Sequence, residues 1–281
     1  MLISCETPAE AVSDVIETLK DFGEITSPRG MSTMEITNAQ IMIQRPWLIP
    51  YELSNRNLRP FIGCIEALQL VGQVAAPDVV IKGSNAFEAF ADDKIFHGAY
   101  GQRIYGHLMP LVDLLKRDPD SRQAVLTIFN AATDLGANRR DIPCTLNIQF
   151  MVRKDKLNMR VSMRSNDVFL GLPYDLVQFG ALQGAVAKAL DLPMGWYSHN
   201  VGSLHMYLRD LEKCEGIEPV DIGEYDYAPL WSGNTIAEIS KTARSILFDY
   251  SAEHPLEITD FERDCYEAVS PTLLKMRNLV F

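Results

Sequence analysis

Cysteine is scarce in this 281-residue chain and poorly arranged for its two commonest structural uses. The five cysteines (Cys5, Cys64, Cys144, Cys214 and Cys265) are odd in number, widely spaced and form no Cys-x-x-Cys. That argues against a disulfide framework and against a cysteine-type zinc site. The five histidines include no pair at metal-binding helical spacing, so metal-independent chemistry is expected. Positive charge is short as well: 26 Lys and Arg against 37 Asp and Glu leave a net charge of −11. Coating nucleic acid needs a basic surface, so no nucleic-acid partner is expected. No apolar run approaches the roughly 20 residues of a membrane span, so no membrane partner is expected either. The start, Met1 to Glu6, lacks a basic leader and an adequate apolar region, and the expected location is cytoplasmic. Repeats, low-complexity tracts and Gly/Ser linkers are missing too, which leaves one α+β domain over residues 1–281.

An acidic protein that binds a small anion must focus positive charge in one pocket, so the positions of the arginines matter. Residues 8–22 read as an amphipathic helix with Pro8 in its first turn and Gly23 at its stop. Residues 34–44 suit a strand, and residues 60–73 suit a mostly apolar helix that carries Glu66. A charge on such a face is either solvated or functional. Residues 122–130 suit a strand. Leu146, Ile148, Phe150 and Val152 then alternate with Thr145, Asn147, Gln149 and Met151. After a turn at 153–156, Leu157, Met159, Val161 and Met163 alternate with Asn158, Arg160, Ser162 and Arg164. Period two on both sides of a turn predicts an antiparallel hairpin with one polar face. Its open ends should make Cys144 and Arg164 neighbours. Pro173 opens a helix through about Leu190, followed by a strand at 196–201, a segment at 202–207, a helix at 235–250 and a closing segment at 271–281.

Several of these residues form a pattern. Pro143-Cys144, Gln149-Phe150, the block Arg164-Ser165-x-Asp167-x-Phe169-Leu170-Gly171-Leu172-Pro173 and His205-x-Tyr207 resemble the thymidylate synthase superfamily, which includes the deoxycytidylate hydroxymethylases of phages. Asp118-Pro119-Asp120-Ser121-Arg122 resembles the family's dimer-interface arginine motif, Tyr100-Gly101 its Tyr-Gly element, and Arg29-Gly30 its N-terminal phosphate arginine. Glu66 falls in the matching helix. The resemblance implies a large mixed β-sheet flanked by helices, a homodimer formed through that sheet, a pyrimidine nucleoside monophosphate as substrate and 5,10-methylenetetrahydrofolate as co-substrate. It implies that Cys144 adds to C6 of the base and so makes C5 nucleophilic, with Arg164 lowering the thiol pKa. Arg29, Arg164 and Ser165 would hold the phosphate, with Arg122 arriving from a second subunit. His205 and Tyr207 would hold the sugar 3′-hydroxyl, and Asp167, with Leu170 and Gly171 beside it, the pterin ring. Glu66 and Tyr100 would handle protons and ordered water around the base.

Departures from the family pattern bear on the substrate. Thymidylate synthases carry asparagine after the Leu-Pro-aromatic turn, where this chain has Asp175. An amide matches the O4 acceptor and N3–H donor of uracil. Cytosine presents the reverse edge, which suits a carboxyl that accepts from the 4-amino group and, as the acid, donates to N3. The alternative, an acid simply favoured in the first turn of a helix, stays open. Thr145 stands where synthases have histidine, and no tryptophan lies between Phe87 and Tyr100. Both fit a changed base and a one-carbon unit captured by water. Gln123 replaces a second interface arginine, while Ser165 and Arg122 keep the identities of deoxynucleotide enzymes. The expectation is a dCMP 5-hydroxymethylase. A CMP hydroxymethylase, a dCMP methylase, an atypical thymidylate synthase and a non-catalytic pyrimidine-nucleotide sensor are the alternatives.

Overall fold

The computed structural model describes residues 1–49, 51–93, 95–220, 231 and 233–251; the segment expected at 271–281 lies outside them. In chain order the elements are β1 (Leu2–Cys5), α1 (Pro8–Phe22), β2 (Glu24–Thr26), β3 (Thr33–Ile43), α2 (Pro60–Gly72), α3 (Pro77–Gly83), α4 (Tyr100–Arg103) and α5 (Leu108–Arg117). There follow β4 (Val125–Thr127), α6 (Ala131–Asp134), β5 (Thr145–Arg153), β6 (Lys156–Asp167), α7 (Leu172–Leu190), β7 (Met194–Tyr207) and α8 (Ile236–Ser251). Seven strands form one mixed sheet in the order β1-β3-β7-β6-β5-β4, with β2 also on β3. The α+β class and the helix-flanked mixed sheet are therefore as expected. No described helix is long and apolar enough to cross a membrane.

The hairpin forms as the alternation predicts, but its loop is tighter. Arg153 pairs with Lys156, leaving Lys154 and Asp155 as a two-residue turn with φ of 53° and 55°, the left-handed pair that suits a twisted hairpin. The strand expected over 122–130 shrinks to three residues, because Asn130 instead caps α6 by accepting from the Ala132 N–H at 3.1 Å. The expected stripe on α7 is an understatement. Nearly every side of this helix is buried, since it packs against β6 and β7 on one side and α2, α5 and α8 on others. Gly63 permits the closest of these approaches: a Cβ there would sit 2.9 Å from Val177 Cβ. That contact brings α2, with Glu66, against the first turns of α7, with Asp175.

One irregularity shapes the site. Segments 196–201 and 202–207 are a single strand, β7, but its ladder breaks at Gly202. Pairing with β3 runs Thr37 to Ser203 and then Ala39 to Val201, and pairing with β6 runs Met163 to Val201 and then Ser165 to Ser203. The rung containing Asn38, Gly202 and Arg164 is missing. Asn38 takes φ 55°, and a Cβ on Gly202 would meet the Arg164 carbonyl at 2.9 Å. Buried parity changes there: Ala39, Ile41 and Ile43 give way to Ile36 in β3, Val161 and Met163 to Asn166 in β6, and Val201 to Leu204 in β7.

Buried Asp134 anchors the segment that carries Tyr100. Both its oxygens meet the Arg103 guanidinium, at 2.6 and 2.8 Å, and the same guanidinium donates to the His97 and Ile128 carbonyls. The Arg103 bond is the first cause that holds the Asp134 carboxyl at about 2, below its ordinary 3.8. A depressed carboxyl pKa adds stability that is complete above 3.8 and lost as pH falls through about 2. We expect Asp134→Ala to cost about 3–5 kcal/mol in urea unfolding at neutral pH, because the largely buried Arg103 is left without its counter-charge. The gap between variant and parent should close in acid.

Candidate active site

A cavity of about 380 Å³ is lined by Arg29, Glu66, Tyr100, Cys144, Arg164, Gly171 and Asp175, all of them expected site residues. A larger cavity, about 580 Å³, lies around His97, Arg103 and Asn130. Its arginine is committed to Asp134, and it holds neither a cysteine nor a carboxylate, so the smaller cavity is the candidate.

Cys144 immediately precedes β5. Its carbonyl accepts from the Arg164 N–H at 2.8 Å, so the hairpin ends meet as expected. The Arg164 side chain serves partly as scaffolding: Nε donates to the Pro143 carbonyl at 3.1 Å and Nη2 to the Ile142 carbonyl at 3.0 Å. The expected lowering of the thiol pKa is overturned in its net effect. Burial pushes Cys144 above its ordinary value; Arg164 opposes this, Asp175 and Asp141 add to it, and Arg29 opposes it weakly.

Asp175, in the first turn of α7, is buried and caps no backbone group. Oδ2 accepts from Asn166 Nδ2 at 2.7 Å and Oδ1 from Gln178 Nε2 at 2.8 Å. Burial raises its pKa to about 7, against the pull of those two bonds. The solvated first-turn acid is thereby set aside. Glu66 resolves similarly: it is half-buried on the cavity wall, and burial, with Asp175 next, raises its pKa to about 8. Tyr100 opens α4 with its ring stacked on Phe179, centroids 6.0 Å apart. Burial first, then Asp175 and Cys144, hold its hydroxyl protonated well beyond the ordinary range.

The remaining expected residues do not line this cavity. Arg122 is exposed. Asp167 Oδ1 accepts from the Phe169 and Leu170 N–H groups at 2.8 and 2.9 Å, which fixes the turn that presents Gly171. Arg56 reinforces that turn from outside, stacked 4.0 Å over the Phe169 ring and donating to its carbonyl. Ser165 pairs in register with Ser203. His205 lies opposite Asp167 and packs edge-on against Tyr207, centroids 5.5 Å apart.

Sequence reasoning missed other groups. Arg140 and Asp141 line the cavity, and the Gly98 N–H donates to Asp141 Oδ2 at 2.8 Å. Phe87, Phe90 and Phe96 also line it, so the stretch without tryptophan still supplies an aromatic wall. Asn166, Gln178, His199 and Tyr197 surround Asp175 in a buried network. Adjacent polar residues at a strand glycine were the available signal for that network. Chemically, the cavity joins one thiol, two carboxyls titrating near neutrality and three guanidinium groups, a combination suited to covalent and acid–base work on a flat anionic ligand.

Residues 87–221 match the family model for thymidylate synthase. A deoxyuridylate hydroxymethyltransferase of Bacillus phage SP01 is 32% identical over 221 residues, covering 72% of this chain and 58% of that protein. A protein of the same description from Pseudomonas phage M6 is 32% identical over 168 residues, 57% of this chain and 48% of that one. A thymidylate synthase of Mycoplasma mobile is 30% identical over 135 residues, 44% and 46% respectively. The chain thus spans less than two thirds of the length of the curated relatives it matches.

Proposed function

We propose that this chain, whose residues 87–221 are a thymidylate synthase domain, modifies C5 of a pyrimidine nucleotide, and that its substrate is dCMP and its product the 5-hydroxymethyl nucleotide. The observation that carries this is Asp175: a buried carboxyl poised near pH 7 on the wall of the cavity that holds the thiol. The Cys144 thiol loses its proton to solvent, and the thiolate forms a bond to C6. The C5–C6 π electrons move toward N3, which takes the proton of neutral Asp175, while the other Asp175 oxygen accepts from the 4-amino group. C5 is then an enamine carbon. Methylenetetrahydrofolate, when bound, supplies the one-carbon unit. Phe87, Phe90 and Phe96, which line the cavity together with Gly171, suit the flat face of its pterin. Glu66, neutral up to about pH 8, suits proton handling at the base and the water that completes a hydroxymethyl group. Arg29, Arg140 and Arg164 provide for the phosphate. Exposed Arg122 would serve a second copy of the chain, with Ser165, His205 and Tyr207 turned to the nucleotide in that dimer.

The names of the two phage relatives favour a second reading, with dUMP as substrate, and neutral Asp175 also offers uracil one donor and one acceptor. Cytosine is preferred because N3 needs a proton that only an acid at this position supplies. Tritium release from C5-labelled dCMP, CMP and dUMP, with product mass, tests the choice. We expect dCMP to exchange fastest, with kcat/KM rising with pH as the thiol ionises and levelling off above about 7, where loss of the Asp175 proton offsets the further gain of thiolate. Preferential turnover of dUMP would reject cytosine. Tight nucleotide binding with neither exchange nor a Cys144 adduct to a 5-fluoropyrimidine nucleotide would indicate the sensor.

A further inference from the structure

Behind Asp175 stands a row of polar side chains that the proposed chemistry does not itself use. Tyr197 Oη lies 2.6 Å from His199 Nδ1, and His199 Nε2 lies 2.9 Å from Asn166 Oδ1. Asn166 Nδ2 is 2.7 Å from Asp175 Oδ2. Tyr197, His199 and Asn166 are all buried, and none lines the cavity. The row and Asp175 together come from three separate places, namely β7, the far end of β6 and the first turn of α7. The break in the ladder at Gly202 brings Asn166 to the same side as His199.

The direction of each bond follows from the others. The carboxylate left once Asp175 has given up its proton only accepts, so Asn166 turns its NH₂ to Asp175, as in the 2.7 Å contact here, and its carbonyl to His199. That carbonyl requires an N–H, which places the imidazole proton on Nε2. Burial holds the ring neutral, with its pKa down at about 3, so Nδ1 is bare and accepts from the Tyr197 hydroxyl. Bonds aligned head to tail polarise one another. Asn166 is therefore a locked, strengthened donor, whereas no such row backs Gln178 among the described residues.

We propose that Tyr197, His199 and Asn166 are positioning residues that poise Asp175 to give its proton to the base: by locking Asn166 as a donor, the row stabilises the carboxylate left behind after the transfer. This rests on the proposal that Asp175 protonates N3. The other titratable groups facing Asp175 are Glu66 from α2, Tyr51 from the loop after β3, Tyr100 from α4 and Cys144 ahead of β5. None of them donates a hydrogen bond to it in this structure, so the two amides alone hold its pKa down against burial.

The test compares Tyr197→Phe, His199→Leu and His199→Gln in the full chain, with kcat and KM for dCMP measured across the neutral pH range and thermal unfolding followed in parallel. Tyr197→Phe removes one hydroxyl and keeps the ring edge-on against Phe179, so it is the variant least able to disturb folding. His199→Gln keeps an N–H for Asn166, whereas His199→Leu does not. We expect Tyr197→Phe and His199→Leu to lower kcat by about tenfold, the worth of one weakened buried bond, with KM little changed. The pH at which kcat stops rising should move higher, because a weaker donor leaves the Asp175 pKa higher. His199→Gln should restore both. A kcat loss with that pH unmoved, or equal loss in His199→Gln and His199→Leu, would overturn the role of the row and leave the role of Asp175 standing. A parent protein that turns over no pyrimidine nucleotide would overturn both.

Discussion

Cys144→Ser abolishes turnover, lowering kcat by about four orders of magnitude or more, as loss of a covalent nucleophile does, while nucleotide affinity stays close to that of the parent. The affinity holds because the guanidinium groups of Arg29, Arg140 and Arg164 are untouched, and Arg164 keeps its bonds to the Pro143 and Ile142 carbonyls. Turnover is lost because nothing beside residue 144 is equipped to ionise an alcohol. Burial already pushes the thiol above its ordinary value, and Arg164 offsets this only in part. A hydroxyl at the same point starts several units less acidic, and the neighbouring Asp175 and Asp141 oppose a negative charge there. The paired measurements are C5 tritium release and calorimetric nucleotide binding, with adduct formation by a 5-fluoropyrimidine nucleotide as a third readout. Full turnover in Cys144→Ser would remove covalent addition from the chemistry altogether. The raised thiol pKa carries a corollary: alkylation of Cys144 in the free protein should quicken as pH rises past the ordinary thiol range.

How far the chain could be read without a structure depends on whether a residue's role is set locally. The β5–β6 hairpin is local: period-two alternation and a short turn specify it, and the meeting of Cys144 with Arg164 follows from strand pairing alone. Pro173 at the start of α7 is local too. The thiol pKa is not, because its largest cause is burial by distant segments, so a single favourable partner pointed the wrong way. Asp175 was legible only as a departure from a family pattern, and its two amide partners were not. Asn166 continues the polar alternation of Asn158, Ser162 and Arg164, so period two places it on the open face. The break at Gly202 reverses that parity across three strands, and a glycine in a strand pattern was the one sign of it. The sequence reading ended one strand segment at Val201, next to that break. Tyr197 and His199 belong to the same blind spot, since lone aromatic and histidine residues at strand spacing look like ordinary core.

Asp175→Asn reverses the choice of base: kcat/KM for dCMP falls about a hundredfold or more, the scale of a lost general acid, and dUMP becomes the better substrate. The substitution is nearly isosteric, so the reason lies in protons rather than volume. Both Asp175 oxygens accept from amide N–H groups, and an asparagine has one oxygen to offer. Its NH₂ must confront either Asn166 or Gln178. Asn166 is held by His199, so Gln178 turns its amide over and the new NH₂ faces it. Residue 175 then presents one fixed acceptor and one fixed donor, which suits the N3–H and O4 of uracil. It has no proton to surrender to cytosine N3, and the enamine at C5 no longer forms. The same change deletes the cavity carboxyl with a pKa of about 7, so the levelling of kcat/KM near neutrality should vanish, while Glu66, near 8, still titrates. With the Asp175 charge gone, one of the causes that raises both Glu66 and Cys144 disappears, and both should titrate lower than in the parent. Exchange assays with dCMP and dUMP across the neutral range measure all of this at once. An Asp175→Asn protein that keeps its preference for dCMP and its levelling near neutrality would show that a group other than residue 175 supplies the proton to the base.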